Sequence, residues 1–161
     1  MMVMATRNQA RSALRRSVIT LALSGLLLGC SESDVGPEEQ IRRWIARGQI
    51  AAEQKERGSL LDMISPAYAD ARGNGRGDIE NMFRLYFLRQ NSITLLTSIK
   101  EIRIIGDSAA EVELRVGMAG SNEGVLGFSA DAYDFALELE LDGDDWQLIS
   151  ARWGELGREL H

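Results

Sequence analysis

The stretch Glu138–Trp153, ELELDGDDWQLISARW, holds two strands and the turn that joins them. Leu139 and Leu141 alternate with Glu138 and Glu140, as a sheet with one buried and one wetted face requires. The alternation extends upstream through YDFALELEL, which sets Phe135 and Leu137 on the same face as the two leucines. Asp142-Gly143 is a strong hairpin signal, because a tight turn of the right twist needs a residue that accepts positive φ. The apolar run Trp146–Trp153 is then the closing strand. Within it Arg152 falls on the alternate face from Ile149 and Trp153.

Two more strands precede this hairpin. SITLLTSIKEIRII, Ser92 to Ile105, is long enough to bend midway, and Gly106-Asp107 starts a turn. AEVELRVGMA then alternates, with Val112, Leu114, Val116 and Met118 inward and Glu111, Glu113 and Arg115 outward. SNEGVLG, Ser121 to Gly127, reads as a loop.

Helical spacing occupies the segment before Asn91. Pro37 suits a first helical position, with Glu38 and Glu39 favourable to the helix dipole. Ile41, Trp44, Ile45, Gly48, Ala51 and Ala52 follow at three- and four-residue intervals, predicting an amphipathic helix that ends near Gly58. Ser59 is placed to cap a short second helix that Pro66 breaks. ARGNGRGD, Ala71 to Asp78, is a loop whose Asp78 caps a third helix, Ile79 to Gln90. That helix is apolar on most sides, which predicts burial. Three helices followed by a curved antiparallel sheet make an α+β fold.

The order of elements resembles the nuclear transport factor 2-like superfamily. The resemblance rests on IKEIRIIGDSAAEVELRV, Ile99 to Val116, and on the closing ELELDGDDWQLISARW, and it spans about Glu38 to Trp153. It implies a cone, with a pocket between helices and sheet. Members include isomerases, cyclases, dehydratases, scaffolds and binding modules, so the fold does not choose an activity. An enzyme of this kind needs a pocket carboxylate or His and a donor to an oxyanion. The only histidine is His161. Tyr68, Asp70, Tyr86 and Asp134 are the candidate polar groups, although tyrosine rings also fill cores and aspartates also serve turns. In a cone one face of the last strand looks inward, so one of Arg152 and Trp153 lines the pocket. The pocket candidates are therefore Tyr68, Tyr86, Arg152 and Trp153, and no catalytic residue stands out.

The chain has 161 residues and a formal charge of −6. Its first 29 residues hold four arginines and no acid, which leaves 14 basic and 24 acidic groups beyond them, a net −10. Such a domain lacks the basic footprint of a nucleic-acid binder. One cysteine precludes an internal disulfide, and the inventory cannot build a metal site of clustered His and Cys ligands. No cofactor is implied. GNGRG lacks the lysine and preceding strand of a phosphate loop. The seven acids between Asp131 and Asp145 lack the pattern of a calcium loop.

The single Cys has a different use. Val18 to Leu28 is an apolar run of eleven residues behind arginines, the layout of a secretory signal rather than a spanning helix. Leu27-Leu28-Gly29-Cys30 resembles the lipobox of bacterial lipoproteins, with Leu28 a mild departure. The resemblance implies cleavage between Gly29 and Cys30 and a diacylglycerol on the Cys30 thiol, followed by acylation of the new amino terminus. Several acyl chains hold a protein on a membrane where one does so marginally. Ser31, rather than Asp, favours the outer membrane, with the domain facing the periplasm. The layout is then a signal peptide over residues 1–29, a lipidated tether over 30–37, a domain over 38–155 and a polar tail over 156–161. The expected role is a non-catalytic binding module for a protein partner or an apolar ligand. The alternatives are a small isomerase-like or cyclase-like enzyme and a structural subunit, homodimeric through its sheet.

Overall fold

The computed structural model describes residues 35–121 and 128–161. Helices α1 (Pro37–Glu53), α2 (Arg57–Asp62) and α3 (Arg76–Arg89) come first. Strands β1 (Ser92–Ile105), β2 (Ala109–Ser121), β3 (Phe128–Asp142) and β4 (Asp145–Glu155) follow as one antiparallel sheet in sequence order. This is the expected α+β architecture. Residues 1–34 and 122–127 lie outside the described residues, and with them the lipobox and most of the Ser121–Gly127 loop.

Three helix boundaries differ from the sequence expectation. Helix α1 stops at Glu53 because Lys55 takes a left-handed backbone, φ 57°, which no helix continues. Ser59 lies inside α2, and its Oγ bonds Glu56 Oε2 at 3.0 Å instead of capping the helix. Helix α3 begins at Arg76, so Asp78 is its third residue; the carboxylate accepts from the Gly75 N–H at 2.9 Å, the returning half of a capping box.

Two bulges bend the sheet. One extra residue at Lys100 shifts the β1–β2 register between Ile99 and Glu101, where the long strand was expected to bend. A second at Ile149 shifts β3–β4 between Glu138 and Leu139. A bulge adds twist and changes which side chains share a face. In β4 it brings Leu148 onto the inner side together with Ala151 and Trp153, where strict alternation would have separated them.

Both sheet edges are occupied. On β1, Gln49 Nε2 donates to the Leu95 carbonyl at 3.1 Å and Glu53 Oε1 accepts from its N–H at 2.8 Å. On β4, Leu148 exchanges backbone bonds with Met63 and Ser65, and Ala69 donates to Ile149. Residues 156–161 turn back, and His161 exchanges two backbone bonds with Trp153. Covered edges resist pairing with a second chain.

The main core lies where α1 meets the sheet. Ile41, Trp44 and Ile45 pack on Val112, Leu114, Leu139 and Trp146. Ile41, Val112 and Leu139 are essentially sealed from water. Each such side chain contributes about 1.5–3 kcal/mol by burial. Helix α3 behaves otherwise. Only Ile79 is buried, and no Cα atom of α3 comes within 8 Å of a strand. Its apolar residues were expected in a core; most of them border a void or solvent instead.

Candidate functional site

The gap beneath α3 is a cavity of about 570 Å³. Its floor is the inner face of β3 and β4, where register sets Phe135 opposite Trp153 and Leu137 opposite Ala151. Its roof is α3, which contributes Phe83, Tyr86 and Phe87. The Phe83 and Phe87 rings stack at 6.1 Å between centroids, and Tyr133 tilts on Phe135 at 6.4 Å. A smaller void of about 250 Å³ adjoins it toward α1, sharing Leu60, Phe83, Met118 and Leu137 and ending on Trp44. Met82 and Leu85 of this lining are exposed, which marks the side on which the cavity opens to solvent. All three tyrosines of the chain line the large cavity, as do Phe83, Phe87 and Phe135.

The polar groups of this lining are few. Tyr68, 4 % exposed, comes from the loop that pairs with β4. Burial, and then the Asp70 charge beside it, push its hydroxyl up to about 12. Burial likewise raises Tyr86 and Tyr133, with the Asp131 carboxylate adding to both. All three phenols are therefore protonated donors near neutrality. Arg89, in the last turn of α3, is the one cation of the lining, and it takes part in no ion pair among the described residues. No Asp or Glu among the described residues lines either void. None gathers into a group able to hold a metal.

The candidate residues separate accordingly. Tyr68, Tyr86 and Trp153 meet in the cavity. Arg152 does not: it lies between Ala151 and Trp153, so the pleat turns it to the outer face, exposed. Arg72 takes the place near Trp153 instead, its guanidinium 4.5 Å from the indole centroid and its Nη2 donating to the Trp153 carbonyl.

Asp70 is buried but already satisfied. It accepts from the Arg72 and Asn74 N–H groups and from Asn74 Nδ2, all at 2.8–2.9 Å. Burial alone would raise its carboxyl; these bonds and the Arg72 charge outweigh that and hold it below the usual range. It folds the 70–74 loop. Asp134 is on the outer face, where Arg115 meets it at 2.9 Å and Lys100 at 2.7 Å. The Arg115 bond, then that of Lys100, hold it at about 2.

Sequence reading passed over Tyr133, Arg89 and Asp131. The signal for Tyr133 was present: it precedes Phe135 by two and shares its face. Asp131 carries the same mark, two residues further upstream on β3. Arg89 carries none, because its position depends on how far α3 stands from the sheet.

A hollow between three helices and a bent four-stranded meander has counterparts among solved structures. A proposed scytalone dehydratase from Novosphingobium aromaticivorans superposes with a TM-score of 0.68 at 11 % identity, over 76 % of this chain and 94 % of that one. The fold is nuclear transport factor 2-like. A ketosteroid isomerase-like protein from Erwinia carotovora atroseptica matches at 0.60 and 12 % identity, over 74 % and 95 %. A proposed dehydratase of the nuclear transport factor 2-like family from Streptomyces avermitilis matches at 0.64 and 13 %, over 75 % and 97 %. No sequence-family model and no curated protein matches the chain. The nuclear transport factor 2-like fold serves both enzymes and binding modules, so the shared architecture leaves the chemistry to the residues that line this cone.

Proposed function

We propose that this chain is a lipid-anchored envelope protein whose cone holds an apolar small molecule without transforming it. The observation that carries the reading is the lining. A cavity of about 570 Å³ lined by seven aromatic residues among the described ones has the size and character of a ligand site. No described carboxylate lines it to move a proton. The anchor is Cys30, acylated after cleavage behind Gly29, with the domain on the periplasmic side of the outer membrane. The tether Ser31–Gly36 extends to about 20 Å at roughly 3.3 Å per residue, which keeps the domain near the lipid surface.

Binding of the fluorescent apolar probe anilinonaphthalene sulfonate tests the cavity. The native chain brightens the probe. Leu137→Trp fills the space shared by both voids and abolishes the signal while leaving circular dichroism unchanged. Probe binding that is indifferent to Leu137→Trp sinks the cavity reading. For the anchor, Cys30→Ser removes labelling by radioactive palmitate and releases the protein from the membrane fraction; retained label overturns it.

One observation favours catalysis as a second reading. Asp131 follows the inner-face parity of Tyr133 and Phe135, and its charge reaches both Tyr86 and Tyr133. A carboxylate within electrostatic reach of two phenols is one element of an acid/base arrangement. An enzyme reading would require Asp131→Asn to abolish turnover of a ligand that the variant still binds.

A further inference from the structure

We propose that the ligand is a monocarboxylic acid with an apolar body, its chain inside the aromatic cavity and its carboxylate at the mouth on Arg89. The inference rests on the binding reading above and adds the chemical class. It starts from the inventory of hydrogen-bonding groups. The charged group of the lining is Arg89, a donor with no acceptor state. Tyr86 and Tyr133 are held protonated, so each offers an O–H. In the adjoining void the indole of Trp44 has an N–H without any partner, although the residue is only 6 % exposed. A lining rich in donors and free of described carboxylates selects a ligand that supplies acceptor oxygens.

Arg89 narrows the class. Among the described residues six arginines form ion pairs with Asp or Glu; Arg89 is one of those that do not, and it is the one of them that lines the cavity. It sits at the exposed end of α3, so a carboxylate meeting it keeps part of its water. This spares the large desolvation cost that a charge incurs deeper in the cone. A guanidinium matches a carboxylate with two parallel bonds, a match that a neutral alcohol cannot make. Asp131 works against an anion on the side of Tyr86 and Tyr133, which is why the head is assigned to Arg89. The body is apolar because the walls are, and each methylene that enters strengthens binding about fourfold.

Calorimetry with three ligands of equal chain length tests the class: decanoate, decanol and decyltrimethylammonium, each below its micelle concentration. The protein is the full chain with Cys30→Ser, which removes the acyl groups that would compete. Decanoate binds, and Arg89→Gln weakens it about tenfold while decanol changes less than about twofold. Arg84→Gln, on the same helix but outside the lining, leaves decanoate unchanged. An equal loss for decanoate and decanol in Arg89→Gln overturns the proposal, as does an equal loss in Arg84→Gln. Tighter binding of the ammonium overturns it and assigns the mouth to Asp131. In these last cases the cavity still binds an apolar body, so the parent reading stands. Failure of all three ligands and of the fluorescent probe removes both.

Discussion

The cone has a filled end and a hollow end, and similar residues build both. At the filled end α1 presses Ile41, Trp44 and Ile45 onto the sheet, and Val112 and Leu139 beneath them are 1 % exposed. At the hollow end α3 carries as many apolar side chains, yet Met82, Leu85 and Leu88 are exposed and only Ile79 is buried. The difference lies in how each helix is held. Packing holds α1. Its two ends hold α3. Arg76 bonds the Leu61 and Ile64 carbonyls at the start, and Lys55 bonds the Gln90 and Asn91 carbonyls beyond the finish. A helix tied at its termini can span a void that its middle does not fill. On the binding reading proposed above, stability and binding fall to different ends of one small domain.

The largest test of that division compares two leucines of β3, two residues apart. Leu139→Ala in the filled end removes a sealed side chain and costs about 3 kcal/mol in urea unfolding. Leu137→Ala removes the same atoms from a wall of the cavity and costs about 1 kcal/mol, since the void exists already. Equal costs would mean that the hollow end is closed in solution. Lys55 gives the next effect. Lys55→Met deletes the tie at the end of α3 and costs about 1.5–3 kcal/mol, the range for bonds to a charged group. The loss is local. Amide exchange speeds up in α3 and stays slow in α1, and probe affinity falls with it. Uniform acceleration across both helices would show that the ends are not independent.

The filled end was open to sequence reading and the hollow end was not. Val112, Leu114 and Leu139 follow strand periodicity, and α1 follows helical periodicity, so their inward faces could be named from spacing alone. The same rule set α3 in a core, because periodicity reports which side chains avoid water but not whether a neighbour arrives to cover them. The ties that keep α3 at a distance come from a lysine in a left-handed turn and an arginine at the first position of α3, and neither has a sequence signature. Arg152 and Trp153 needed only the choice of face, which the pleat and the Ile149 bulge made. Asp70 and Asp134 could not be assigned from composition, since a carboxylate folding a loop and one awaiting a substrate look alike until their partners are visible.

The smallest effect comes from the outer face, which belongs to neither end. Asp134 joins Lys100 at the β1 bulge to Arg115 on β2, bridging three strands on the side away from the cavity. Its carboxyl titrates at about 2 in the fold against 3.8 ordinarily. A depressed folded value means that the carboxylate stabilises the fold above the unfolded value. That contribution fades as pH falls below about 4 and is gone once the folded group protonates near 2. The group is exposed to solvent, so the effect is modest and salt weakens it. Asp134→Asn should flatten the acid limb of the stability curve in low salt and leave the native curve at neutral pH slightly above the variant's. Probe affinity should not move, because the triad faces away from Tyr133 and Phe135. A parallel change in affinity would tie the bulge at Lys100 to the shape of the cavity, and would make the curvature of the sheet, rather than the ties on α3, the element that keeps the cone open.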